Sequence, residues 1–282
     1  MGIEQELTKL YKSCTEVYTV TKGDPSRLKY LRPSQLPFCP PAFFIKHATM
    51  GLAQVMDLNG SFYTSVGTTV HEVLQKYLGT SGKFLANWEC KICGKKRKCS
   101  MKNECCDMPM KYHEVEINHK GVKGHIDAIY RDNEGNYWIV DFKTTSVKSA
   151  PRKRTNPGVA YTEQVETYAL MLWRQYGIKV KGVVLMFIRR DNPTWEAPVI
   201  WYMTLRTSDF KAIEARTERY KKRHQRVLTA QTEEEVLDLA KYGRCNSAYC
   251  RVCKSPTSLK KQLARAYKTG SQKNHLPLSR LK

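Results

Sequence analysis

NYWIVDFKTTS, residues 136–146, is the stretch on which the fold turns. Trp138, Val140 and Phe142 alternate with Ile139, Asp141 and Lys143, and a period of two belongs to a β-strand, whose successive side chains leave opposite faces. The acid and the lysine therefore share a face. Asp132-Asn133-Glu134-Gly135-Asn136 supplies turn residues just before it, and GVKGHIDAIYR (121–131) and EVEINHK (114–120) alternate in the same way. We read three strands, the last two a hairpin. If the hairpin closes on a three-residue loop at 133–135, residue i pairs with 268 − i, and Asp127 falls opposite Asp141 with Cβ atoms about 5 Å apart.

Further out, Val66, Val70, Val73, Tyr77 and Leu78 recur at helical spacing over 62–78, and Gly79 to Gly82 ends that helix. A basic, proline-bearing stretch from Ser149 to Gly158 leads into a helix over 159–176. Strands follow at 180–190 and 198–205, then helices at 208–228 and 232–240. Residues 3–19 and 40–48 carry weaker helical patterns, and the basic stretch from Ser255 onward reads as a helix-containing or loosely ordered tail. Strands interleaved with helices predict an α/β (α+β) fold, a central mixed sheet flanked by helices. Five segments are expected: an N-terminal helical region (1–83), an inserted cysteine-rich module (84–113), the core sheet with the 159–176 helix (114–206), C-terminal helices with a cysteine trio (207–254), and the tail (255–282).

The 282 residues are 41% hydrophobic, enough for a substantial core, which excludes a disordered chain. Lys and Arg number 48 against 26 Asp and Glu, a formal charge of +22, more than solubility requires and suited to a polyanion such as nucleic acid. No apolar run is long enough to cross a bilayer, and MGIEQELTKLYKSC has neither the basic start nor the apolar centre of a signal peptide. The expectation is no membrane association and a cytoplasmic location, the host's cytoplasm if the protein is phage-encoded. Ten cysteines in a chain of this kind point to metal rather than disulfides.

Two carboxylates facing each other across a strand pair repel, so a fold keeps them only where something offsets the repulsion. A divalent cation does so: Mg²⁺ or Mn²⁺ on hard oxygen ligands polarises a phosphate and acidifies a bound water. Lys143 beside it can orient the nucleophile and stabilise developing negative charge. For either acid alone, an ordinary solvated surface acid is the better reading. Asp127, Asp141 and Lys143 together favour a metal-assisted phosphodiester site.

Gly124-His125-Ile126-Asp127, followed by Asp141-Phe142-Lys143-Thr144, resembles the PD-(D/E)XK nuclease signature in the GxxD and (D/E)xKT form of its RecB-like branch. Gly67-Thr68-Thr69-Val70-His71-Glu72 resembles that branch's GxxxHE helix, and Gln164 with Tyr168 its QxxxY helix. On its own, His71 shares a helical stripe with Gly67, Leu74 and Leu78 and reads as a packed core histidine; the resemblance makes it a metal ligand. The resemblance implies a restriction-endonuclease-like core, with Mg²⁺ or Mn²⁺ held by His71, Asp127, Asp141 and the Phe142 backbone carbonyl. Lys143, Gln164 and Tyr168 would complete the catalytic set. It also implies a glutamate just before the GxxD strand, for which Glu116 is chosen over Glu114.

Cys39 stands far upstream of Cys245-x4-Cys250-x2-Cys253. One N-terminal and three C-terminal cysteines around the core resemble the iron-sulfur nucleases of the same branch, including AddB, CRISPR-adaptation nucleases and phage relatives. Four thiolates there bind a [4Fe–4S] cluster. Here the longer step precedes the CxxC step, the reverse of the usual order, which leaves a zinc Cys₄ site open. Between Trp88 and Tyr112 lie Cys90, Cys93, Cys99, Cys105 and Cys106 with seven lysines or arginines and few large apolar residues. Such a segment gains its folding free energy from metal, so four of the five are expected to hold Zn²⁺ in a zinc-ribbon-like module. Adjacent Cys105 and Cys106 need an unusual turn to share one ion, so Cys99 stands as a substitute.

These expectations converge on a metal-dependent deoxyribonuclease, an exonuclease on single-stranded or end-bearing DNA, working beside replication, recombination or repair proteins. The alternative is a non-catalytic zinc/iron-sulfur DNA-binding accessory protein. It accounts for charge and cysteines, but not for the ordered recurrence of His71, Asp127, Asp141, Lys143, Gln164 and Tyr168.

Overall fold

The computed structural model describes residues 5–6, 19–21, 28–48, 54–56, 58–191, 197–242, 250, 252 and 259–272. Its central strand is β11 (Tyr137–Thr145), paired antiparallel with β10 (Ala128–Arg131) in the register Ala128–Val140 through Arg131–Tyr137. The intervening turn is closed by Asp132, whose carboxylate accepts from the backbone N–H groups of Glu134 (3.0 Å) and Asn136 (2.8 Å) and from Trp138 Nε1 (2.9 Å). These local bonds fix the loop length and with it the register.

On its other side β11 runs parallel to β12 (Gly182–Arg189), which pairs antiparallel with β13 (Val199–Thr204). A parallel neighbour needs a crossover. It is made by a short turn of helix, α3 (Ala150–Lys153), and then α4 (Val159–Tyr176), which Gly177 ends in a left-handed conformation (φ 71°) with its N–H bonded to Trp173 O. Beyond β10 the sheet continues with β3 (Phe84–Glu89), which pairs with β10, with β4 (Lys96–Ser100) and with β7 (Lys111–His113), giving seven strands in the order β13-β12-β11-β10-β3-β4 with β7 also on β3. The result is a mixed sheet flanked by helices, the expected fold class.

Alternation along β11 divides the interior. Ile139 joins the larger core with Ile129, Leu85, Val183, Leu185 and Phe187 on the α4 side. Val140 and Phe142 join Phe84 and Ala128 on the opposite face, under Leu74 and Leu78 of α2 (Leu58–Gly79). Outside α4 packs α5 (Thr207–Thr229), with Trp173 and Phe210 edge to face at 5.2 Å. A short helix, α6 (Glu233–Asp238), follows, opened by Thr232 and Glu235 bonding each other's backbone N–H groups. The described part of the basic tail is a helix, one of the two readings of its pattern: α7 (Leu259–Gln272) lies on α1 (Pro40–Ala48) and buries Leu263 and Ala266.

Three differences from the sequence reading stand out. The stretch 121–131 is two strands, because the chain bends at Asp127: β9 (Val122–Ile126) pairs with β8 (Val115–His119) in a separate ribbon, and only β10 joins the main sheet. The cysteine-rich segment opens with a strand of that sheet, since Phe84, Leu85, Ala86 and Trp88 are buried. Of the expected helix at 3–19, all but Gln5, Glu6 and the strand residue Thr19 lie outside the described residues.

Candidate active site

The bend at Asp127 carries that side chain to the end of the β10–β11 pair, where its Oδ2 accepts the Phe142 backbone N–H at 2.8 Å. A helix covers each face of the sheet here. From α2, His71 places Nδ1 3.5 Å from Asp127 Oδ2, and its ring lies edge-on to the Phe142 ring. From α4, Gln164 Nε2 donates to Asp141 Oδ1 at 3.1 Å and contacts Tyr168 OH at 3.4 Å. Lys143, sharing Asp141's face of β11, forms an ion pair with Asp141 Oδ2. Sequence positions spread over nearly a hundred residues thus meet at one end of one strand pair.

Close approach explains Gly124. A Cβ on Gly124 would stand 3.0 Å from Tyr168 Cε1 and 3.3 Å from the Pro33 ring, so only glycine lets the tyrosine lie against the β9 backbone. At Gly67 an added Cβ would make only an ordinary 3.9 Å contact with Thr144 Oγ1, so space alone does not require glycine there.

Asp127 and Asp141 are 8% and 1% exposed, and burial raises both carboxyls above the usual range; for Asp127 the Asp141 charge adds to the effect. Burial alone would lower Lys143, but the Asp141 and Asp127 carboxylates outweigh it and raise it. His71 is lowered, by burial and then by the Lys143 charge, which keeps the imidazole neutral and its lone pair available to a cation. Two buried acids of raised pKa beside a neutral imidazole form a hard-donor set suited to a divalent ion.

The glutamate choice is corrected. Glu116 points outward from β8 and pairs with Lys123 Nζ at 3.1 Å, whereas Glu114 joins His71 and Asp127 in a group whose donor atoms lie within 4.8 Å of one another. Alternation puts both glutamates on one face, but Glu114 sits between β7 and β8, where the chain leaves the main sheet for the ribbon. Its carbonyl accepts from Asn87 Nδ2 (2.9 Å) and its carboxylate from Gln75 Nε2 (3.0 Å). Asp141 lies outside this trio, its oxygens taken by Lys143 and Gln164. Gln75 and Tyr112, whose hydroxyl donates to Asp127 O at 2.6 Å, are supports that no motif announced.

A second centre lies in the cysteine-rich segment. Cys90, Cys93, Cys105 and Cys106 bring their sulfurs within 4.8 Å of one another, with Cys93–Cys105 at 3.7 Å and Cys105–Cys106 at 3.9 Å. A tetrahedron with ~2.3 Å zinc–sulfur arms has edges of about 3.8 Å, so the four fit one ion. The backbone N–H groups of Cys93 and Ile92 lower the Cys90 thiol to about 7, favouring the thiolate that binds metal. Cys99 does not substitute: it packs against the main core, where burial raises its thiol to about 11. The unusual turn is present, with φ of 51° at Cys106 and 57° at Asp107. Of the terminal cysteines, Cys39 and Cys250 stand 3.5 Å apart across 211 residues of sequence; Cys245 and Cys253 lie outside the described residues.

A family model described as the PD-(D/E)XK nuclease superfamily matches residues 100–256, more than half of the chain. No curated protein sequence matches it. Among solved structures, one titled as the crystal structure of SSO0001 is similar at 14% identity and a TM-score of 0.39, over 78% of this chain and 86% of that one. Among the described residues, no helix is long and apolar enough to cross a membrane.

Proposed function

Since the chain belongs to the PD-(D/E)XK nuclease superfamily, we propose that it is a metal-dependent deoxyribonuclease of the RecB-like branch, acting as an exonuclease on single-stranded or end-bearing DNA in recombination, repair or replication. The observation that carries this reading is the convergence of His71, Asp127, Asp141 and Lys143 at the end of β10 and β11. A binding protein without catalysis does not account for two buried acids, one of them paired with the partly buried Lys143.

His71, Asp127, Asp141 and the Phe142 carbonyl would hold Mg²⁺ or Mn²⁺, with Glu114 rather than Glu116 as the adjoining carboxylate. The ion supplies Lewis-acid polarisation of the phosphate and a water of lowered pKa. Lys143 keeps an ammonium within reach of the Asp141 oxygens, where it can hold an attacking water and meet the charge that develops on the phosphate. Gln164 fixes the Asp141 rotamer and Tyr168 fixes Gln164, so the acid does not search for its position during turnover.

The four thiolates at 90–106 are assigned to structural Zn²⁺. At the terminal site, one N-terminal and three C-terminal cysteines around the core favour a [4Fe–4S] cluster with Cys39, Cys245, Cys250 and Cys253 as ligands. The 3.5 Å between Cys39 and Cys250 favours zinc instead, because each thiolate of a cubane binds a different iron and the sulfurs stand further apart. Metal analysis and visible absorption of anaerobically purified protein distinguish the two.

The test of the main reading is incubation of purified protein with end-labelled single- and double-stranded DNA in Mn²⁺, Mg²⁺ or chelator. Cleavage is expected with either ion, none with chelator, and none with Lys143→Ala. Cleavage by Lys143→Ala at the wild-type rate overturns the assignment.

A further inference from the structure

Beside the active site lies a cavity of about 680 Å³ whose two walls are chemically unlike. One wall is α2, which offers Glu72, Gln75, Lys76 and Gly79 at the spacing of a single helix face. The other belongs to the thiolate segment: Tyr112, with the edges of Trp88 and Met110, which are only 3% and 5% exposed, forms an apolar floor, the two rings lying edge to face at 5.2 Å, and Lys91 and Lys111 line this wall with Lys76 on the other. Both walls are tied to the catalytic groups. Gln75 lies one helical turn beyond His71 and bonds Glu114, while Tyr112 bonds the Asp127 carbonyl.

We propose that this cavity is a binding subsite for single-stranded DNA, taking an unpaired base onto the Trp88–Tyr112–Met110 floor while Lys76, Lys91 and Lys111 hold the adjoining phosphates. This deepens the nuclease reading and rests on it for the choice of DNA. The volume lies in the range that encloses a ligand of nucleotide size. Apolar and aromatic surface ringed by three lysines against the single carboxylate of Glu72 complements a nucleotide, whose base is flat and whose linkages are anionic. A base enters such a hollow only when it is out of its stack, so the site selects unpaired DNA. Its position one to two helical turns along α2 from His71 puts the held nucleotide next to the scissile linkage, and gives the thiolate segment a role in the reaction beyond its own fold.

The experiment measures binding of fluorescein-labelled oligo-dT by the full-length protein in Ca²⁺ or chelator, so that no turnover is required. The variant Lys76→Gln/Lys91→Gln/Lys111→Gln is compared with a control that removes three exposed lysines elsewhere, Lys211→Gln/Lys222→Gln/Lys260→Gln. Loss of three phosphate contacts predicts a log–log salt dependence shallower by about 2 and an affinity roughly 10- to 50-fold lower in moderate salt. The control should lose much less. Thr80→Trp, which keeps every lysine and narrows the mouth, should also weaken oligo-dT binding, while blunt duplex binding changes little in either case. Zinc content and thermal midpoint equal to wild type establish that the variants are folded. The proposal is overturned if pocket and control variants lose affinity equally, or if duplex binding falls as far as single-strand binding. A parallel Mn²⁺ cleavage assay separates the two failures. Cleavage with oligo-dT binding insensitive to the pocket removes this subsite alone, and pocket-dependent binding without cleavage removes the nuclease reading alone.

Discussion

The two centres of this molecule are built on opposite plans. The carboxylate site is set into a finished interior: Asp141 is 1% exposed, with Val140 and Phe142 beside it in one apolar cluster and Ile139 in the other, and helices cover both faces. The thiolate site sits in a segment whose own apolar cluster is only Ala86, Trp88, Cys90 and Met110, with Cys93 and Cys106 exposed. On the proposed reading the fold holds the donors of the first site and an ion there would serve chemistry, whereas in the second a bound metal would hold the fold. The cost of losing metal should therefore differ in kind between them.

The sharpest contrast is in activity. Lys143→Ala, or Asp127→Asn, should lower the rate of DNA cleavage by about 10³-fold or more, on the order of 4 kcal/mol of transition-state stabilisation, with little change in zinc content. Single-turnover kinetics with Mn²⁺ check this. A loss below tenfold would mean that these buried groups serve the fold as the cysteines do. Next in size is removal of the other metal. Cys105→Ser, or a strong zinc chelator, should release one zinc and strip amide-exchange protection from residues 90–110, a local loss of roughly several kcal/mol. Protection along β11 should survive. Global unfolding on zinc release would erase the distinction between the two plans.

How much of this is legible in the sequence follows the same division. The β10–β11 register is legible because it depends on neighbouring residues alone: alternation fixes the faces and Asp132 fixes the loop. The helix at Val159–Tyr176 is legible because its apolar stripe is long and Gly177 ends it. What fails are inferences across a break. Alternation puts Glu114 and Glu116 on one face and cannot choose between them; what separates them is the change of sheet between β7 and β8, at Glu114. The bend at Asp127 is invisible to a period-two pattern, which continues unbroken through a site where the backbone turns. Cys99 fits a metal site by spacing alone, and only its burial against the main core removes it.

A third prediction concerns the packing beside the terminal cysteines. His224 of α5 is 4% exposed and lies edge-on to Phe38 and Phe43, next to Cys39; burial lowers its pKa to about 4 from an ordinary 6.5. The folded state therefore keeps this ring neutral where the unfolded chain would protonate it. Stability is complete above pH 6.5 and should fall as pH drops toward 4, by on the order of 2–3 kcal/mol. His224→Phe should remove that slope in thermal melts. A slope that persists in the variant would assign acid sensitivity to other groups.

The smallest effect has the opposite sign and returns to the carboxylate site. Asp127 and Asp141 are buried near each other, and Lys143 pairs with only one of them. In Asp127→Asn the amide would keep an oxygen to accept the Phe142 N–H while removing a desolvated charge that its neighbour repels. The variant should therefore be more stable than wild type in chelator, by about 1 kcal/mol, although it is inactive. In saturating Mn²⁺ the order should reverse, because only the wild type gains stability from binding the ion. Thermal melts with and without Mn²⁺ read both signs. A variant less stable than wild type in chelator would mean that Asp127 contributes to the fold through its charge, and that the interior around it is less independent of the ion than its packing implies.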